Sequence, residues 1–209
     1  NPMAIQGNSP IAYYDLGGSS TGDAGGPQPA PNTLTVPNSS VPSATVFDFV
    51  NTGTGISGSD NILTGGFSLG TSWAFSLWLK MDNNEENIIL SSPNYATSNV
   101  NFTIRYENTG KINFYSYNGT SSNSNGAIGS SAVVPSTPSE WTHFVITADG
   151  TNNGGAMYWN NQPITLSSNT AVALALDDLL NGLYIGADIN GSNDNFNGLI
   201  SNVQAYNTK

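Results

Sequence analysis

A chain of 209 residues and 21.8 kDa fits one domain that buries about 70% of the surface its unfolded form exposes, and it must do so without staples because it has no cysteine. Fourteen acidic residues against four basic ones (Lys80, Arg105, Lys111, Lys209) give a net charge of −10, which removes the basic footprint that nucleic acid and anionic membranes require. Charged residues are only 9% of the chain, so solubility rests on neutral Asn, Ser, Thr and Gly, a balance that suits an extracellular or virion-exterior protein, and no apolar run of about twenty residues offers a membrane span.

The chain opens on Asn1 and not on Met, which reads either as a removed leader or as a piece of something longer. Residues 1–16 hold one short apolar segment, Ile11-Ala12-Tyr13-Tyr14, expected to add an edge strand. Gly17 to Asn32, with Gly17-Gly18, Gly25-Gly26 and Pro27, Pro29 and Pro31, is a loop by composition. The expected division is therefore 1–32, an edge segment with a Gly/Pro-rich loop, and 33–209, the globular domain.

Beyond residue 33 the pattern has period two. Phe75, Leu77 and Leu79 alternate with Ala74, Ser76, Trp78 and Lys80; Phe102, Ile104 and Tyr106 alternate with Asn101, Thr103 and Arg105; Phe144 and Ile146 alternate with His143 and Val145. Strands at this spacing, divided by turns such as Asn108-Thr109-Gly110 and Asn118-Gly119, predict an all-β, antiparallel β-sandwich. Ala171 to Leu180 is the one helix candidate, although Val172-Ala173-Leu174-Ala175-Leu176 also alternates.

Four segments near the end carry a resemblance: Trp141-Thr142-His143-Phe144-Val145-Ile146, Ala156-Met157-Tyr158-Trp159-Asn160-Asn161, Leu183-Tyr184-Ile185-Gly186, and Phe196-Asn197-Gly198-Leu199-Ile200-Ser201-Asn202-Val203-Gln204-Ala205-Tyr206-Asn207. In that order and spacing they resemble the closing strands of a laminin-G-like domain of the concanavalin A-like jelly-roll superfamily. The resemblance implies that fold, and domains that mostly bind carbohydrate or protein surfaces. It also implies that His143 is a strand histidine with no catalytic duty, and that Trp73, Trp78, Trp141 and Trp159 pack between the sheets or at their rim. The opening segment, with Thr33-Leu34-Thr35-Val36 and Val46-Phe47-Asp48-Phe49, is similar to the lead-in of laminin-G-like modules in structural proteins of marine bacteriophages, which implies a virion-surface location.

Catalysis is poorly supplied. A glycosidase needs two carboxylates across the scissile bond, and the four glutamates, Glu85, Glu86, Glu107 and Glu140, do not fall in the Glu-x-Asp-x-Glu strand pattern of jelly-roll glucanases. A serine nucleophile would depend on the single His143, and one histidine cannot make a zinc centre. No enzyme is expected. Calcium is allowed but not required. Asp188, Asn190 and Asp194 put side-chain oxygens in one Gly-containing turn, residue types that a hydrated hairpin also uses.

Sugar recognition calls for exposed aromatic rings beside amide and hydroxyl groups. The candidates are Tyr95, Tyr117 with Asn118, and Tyr158, which alternation sets opposite Met157 and Trp159. The expected function is a non-catalytic carbohydrate-binding or adhesion module on a virion exterior or secreted scaffold, with a glycan or host-surface polysaccharide as partner. The alternative is a structural decoration, fibre or appendage subunit that packs against neighbouring virion or scaffold subunits.

Overall fold

The computed structural model describes residues 12–14, 47–49, 62–64, 66–82, 84–92, 101–117, 124–130, 134, 139–170, 179, 182–187 and 195–207; for 12–14, 47–49, 62–63, 101, 117 and 124–127 it describes the backbone alone. Among the described residues there are fourteen strands: β1 (Ala12–Tyr14), β2 (Phe47–Phe49), β3 (Ile62–Leu63), β4 (Trp73–Met81), β5 (Asn87–Ser91), β6 (Asn101–Tyr106), β7 (Ile112–Tyr117), β8 (Ser124–Ser130), β9 (Thr142–Ala148), β10 (Ala156–Trp159), β11 (Gln162–Pro163), β12 (Leu166–Asn169), β13 (Tyr184–Ile185) and β14 (Gly198–Tyr206). They form two antiparallel sheets. Sheet A runs β1-β14-β4-β9-β10-β11, with β2 also pairing β14, and sheet B runs β12-β8-β7-β6-β5-β13-β3.

Alternation builds the core. Phe75, Leu77 and Leu79 of β4 and Phe144 and Ile146 of β9 point inward from sheet A, and Phe102, Ile104, Phe114 and Ile128 meet them from sheet B. Trp73 and Phe75 join Phe102 and Phe114 in one aromatic cluster across the two layers, with ring centroids 5.3 Å apart for Trp73–Phe114, 5.8 Å for Phe75–Phe102 and 5.5 Å for Phe102–Phe114. Such pairs add about 0.5–1.5 kcal/mol each beyond the area they bury.

Turn chemistry sets the registers. The β6–β7 hairpin closes through Glu107 N–H to the Lys111 carbonyl and Gly110 N–H to the Glu107 carbonyl, with Gly110 at φ +79°, the left-handed position such loops need. Asn160 and Asn161, at φ +50° and +64°, form the two-residue turn between β10 and β11, where Trp159 pairs Gln162. Asn tolerates this conformation better than other side chains do. In β14 the pairing with β4 shifts between Ser201 and Gln204, and Asn202 at φ +51° is the bulged residue. Gly198, at φ +139°, passes so close to β4 that a Cβ would lie 2.1 Å from the Lys80 carbonyl oxygen. That contact explains the glycine in the closing-strand motif.

The helix candidate Ala171–Leu180 lies outside the described residues except for Leu179, which is buried and accepts backbone hydrogen bonds from Phe67 and Gly182. Among the described residues no helix is long and apolar enough to cross a membrane.

Candidate functional site

The outward face of sheet A changes character from one end to the other. Directly paired residues in an antiparallel sheet share a face, so the register reads as rows. One row is Tyr206, Ala74 and Thr147, and the next is Gln204, Ser76, Val145 and Tyr158. In these two rows Ala74, Ser76, Gln204 and Tyr206 are buried, and the Tyr206 hydroxyl donates to Gln204 Oε1. The following row is Ser201, Trp78 and His143, and there the face opens: Trp78 is 39% exposed. Carrying the β4–β9 register one residue pair at a time past Trp78–His143 and Leu79–Thr142 sets Lys80 opposite Trp141, which is also 39% exposed. Trp78 and Trp141 are the two exposed large apolar side chains among the described residues, and they occupy adjacent rows of the same face.

His143 fixes the centre of this platform. Its ring stacks on Trp78 at 5.0 Å between centroids and 29° between planes, and its Nε2 lies 2.8 Å from Ser76 Oγ. Its backbone is held from the other side by the β10–β11 turn, since His143 N–H donates to Asn160 Oδ1 at 2.9 Å and Asn160 N–H to the His143 carbonyl at 2.8 Å. Burial pushes the imidazole pKa below its ordinary value, so the ring is neutral at pH 7. The result is an apolar surface bordered by the exposed Asn160 of the β10–β11 turn. It can receive a flat, partly apolar ligand and offer an amide group at its edge.

The outward face of sheet B carries a different cluster. Arg105 pairs with Glu86 at 2.8 Å and with Glu107 at 3.5 Å, and its guanidinium sits 4.9 Å above the Tyr115 ring. Tyr115 OH donates to Glu107 Oε1 at 2.9 Å, and burial followed by the Glu107 carboxylate raises the phenol pKa. These groups hold one another. A ring covered by a guanidinium is closed to a sugar, and two carboxylates tied to one cation are not an acid/base pair awaiting substrate.

Of the residues expected at a site, Tyr158 alone has a described side chain; it is half-buried on the outward face of sheet A, opposite Val145 and one row from His143. Tyr117 is described as backbone at the end of β7, paired with Asn101. Tyr95 and Asn118, and the calcium candidates Asp188, Asn190 and Asp194, lie outside the described residues. Among the described residues no group of His, Asp and Glu side chains could hold a metal ion. The four tryptophans divide: Trp73 and Trp159 are buried, whereas Trp78 and Trp141 stand on the open face. Sequence reasoning placed all four between the sheets or at their rim and gave His143 no catalytic duty. The missed signal was parity, because Trp78 lies an odd number of residues from Phe75 and so faces away from it.

Comparison with known proteins agrees with this architecture. No curated protein matches the chain. Solved structures similar to it include a native heptameric SAP-like pentraxin from Limulus polyphemus (14% identity, TM-score 0.50, covering 84% of this chain and 75% of that one). Similar too are the CBM40 of a Ruminococcus gnavus IT-sialidase bound to α2,3-sialyllactose (14%, 0.52, 78% and 91%) and a Trypanosoma rangeli sialidase (13%, 0.60, 99% and 32%). At these identities the likeness is one of fold. A laminin-G family model described as the concanavalin A-like lectin/glucanases superfamily matches residues 56–209, which contain every strand that builds the Trp78 platform. With two antiparallel sheets, the closing-strand motif and its glycine all accounted for, the chain belongs to the concanavalin A-like lectin/glucanase superfamily.

Proposed function

We propose that this chain is a non-catalytic carbohydrate-binding module that adheres to glycans through the Trp78 end of the outward face of sheet A. The observation that carries the reading is the exposed pair Trp78 and Trp141 with His143 stacked against the first indole. An exposed indole held in place by a neighbouring ring loses little conformational freedom when a ligand stacks on it, so burial of its face is converted into affinity. Similarity to a sialyllactose-bound carbohydrate-binding module is in keeping with the reading. A non-catalytic role is supported by Glu86 and Glu107, a carboxylate pair brought together among the described residues, being tied to Arg105. The acidic, Asn-rich composition and the likeness of the opening segment to phage modules support placement on a virion exterior or secreted scaffold.

A glycan-array screen of the purified chain tests this. Specific signal that survives chelation of calcium and disappears in Trp78→Ala is the expected result. The same two indoles favour one other reading, a structural subunit that docks this face onto a neighbouring chain. A blank array, together with Trp78-dependent self-association in sedimentation velocity, would replace the first reading with the second.

A further inference from the structure

The charges around the platform specify the kind of sugar it takes. Lys80 lies in the row of Trp141, and the exposed Asp82, two residues further in the same strand direction, falls on the same side by alternation. The one cation at the platform edge is therefore matched by a carboxylate. The single arginine of the chain, the side chain best shaped to grip a carboxylate or sulfate in two-point fashion, is on the outward face of the other sheet, engaged by Glu86 and Glu107. The remainder of the molecule is strongly acidic, with a net charge of −10. Remote charges are damped over about 8 Å at physiological salt, so the local balance decides, and it offers no net positive charge.

Resting on the lectin reading above, we infer that the Trp78–Trp141 platform selects uncharged hexose-based glycans, an apolar sugar face lying on the indoles, and rejects uronate, sialate and sulfate sugars. The neutral His143 imidazole adds no charge for an anion, and the exposed amide of Asn160 beside it supplies hydrogen bonding suited to hydroxyl groups.

The test uses the full chain and two probe sets in titration calorimetry: neutral tetrasaccharides of glucose, galactose and mannose, and the acidic probes sialyllactose, tetragalacturonate and a sulfated galactan tetrasaccharide. Binding of a neutral probe is expected, with a Kd that changes by less than about twofold between 50 mM and 500 mM salt. Trp78→Ala should weaken it by about tenfold or more, and Lys80→Met by less than about twofold. Both variants must retain the parent melting temperature, and Trp78→Tyr, which keeps a stacking ring, should recover part of the affinity. Tighter binding of an acidic probe that weakens steeply with salt and is lost in Lys80→Met would overturn the inference while leaving a lectin in place. Failure of every probe with a folded protein would overturn both.

Discussion

Single side chains at this site have separable jobs. His143 is buried enough that its charged form is disfavoured in the folded chain, and its pKa is lowered from 6.5. Between that value and the lower folded one, the unfolded chain binds a proton that the folded chain does not, so stability is fully present above about pH 6.5 and declines as the pH falls toward the folded pKa. Replacing His143 with Gln should flatten that part of the stability–pH curve, read as denaturant midpoints between pH 7.5 and 5.5. Gly198 works through space alone. At φ +139° and with the Lys80 carbonyl where a methyl would go, Gly198→Ala should cost about 2–4 kcal/mol, measured by urea unfolding. Trp78→Ala is the contrasting case: exposed on the face, it should leave the melting temperature nearly unchanged while removing binding.

At the scale of strands, turn and parity together explain what the sequence disclosed. Period-two alternation within β4, β6 and β9 was legible, and so was the side of β4 on which Trp78 stands. Which strand lies beside which was not, because β4 and β9 are separated by about sixty residues and nothing local fixes their pairing. The contact between Trp78 and His143 exists through that pairing alone, so residues that read separately as scaffold become a platform only once the sheet is assembled. Tyrosines beside amide and hydroxyl groups were the visible signal for sugar, and of these Tyr158, half-buried on β10, reaches the same face. The β10–β11 turn anchors the platform from its far side. Asn161→Gly should relieve its left-handed residue and raise stability by about 0.5 kcal/mol. Asn160→Ala should lower both stability and glycan affinity, since Asn160 Oδ1 accepts from the His143 amide.

For the whole molecule, the two layers depend on one aromatic cluster between them, and the site depends on the layers. Phe114→Ala, which removes a fully buried ring that touches both Trp73 and Phe102, should cost about 3–5 kcal/mol. The outer edge of β14 is held differently. Two short strands divide it: β2 pairs Gly198–Ile200 and β1 pairs Val203–Ala205, on either side of the bulge at Asn202. Their contribution is to cap a nine-residue row of main-chain amides and carbonyls that would otherwise stand open. A shortened chain spanning residues 56–209 keeps the platform but loses both caps. It should recognise the same glycans as the full chain yet sediment as larger, concentration-dependent species, its bare β14 recruiting a second copy. The opening stretch would thus act as a built-in guard against edge-to-edge aggregation, shielding the strand beside the binding face.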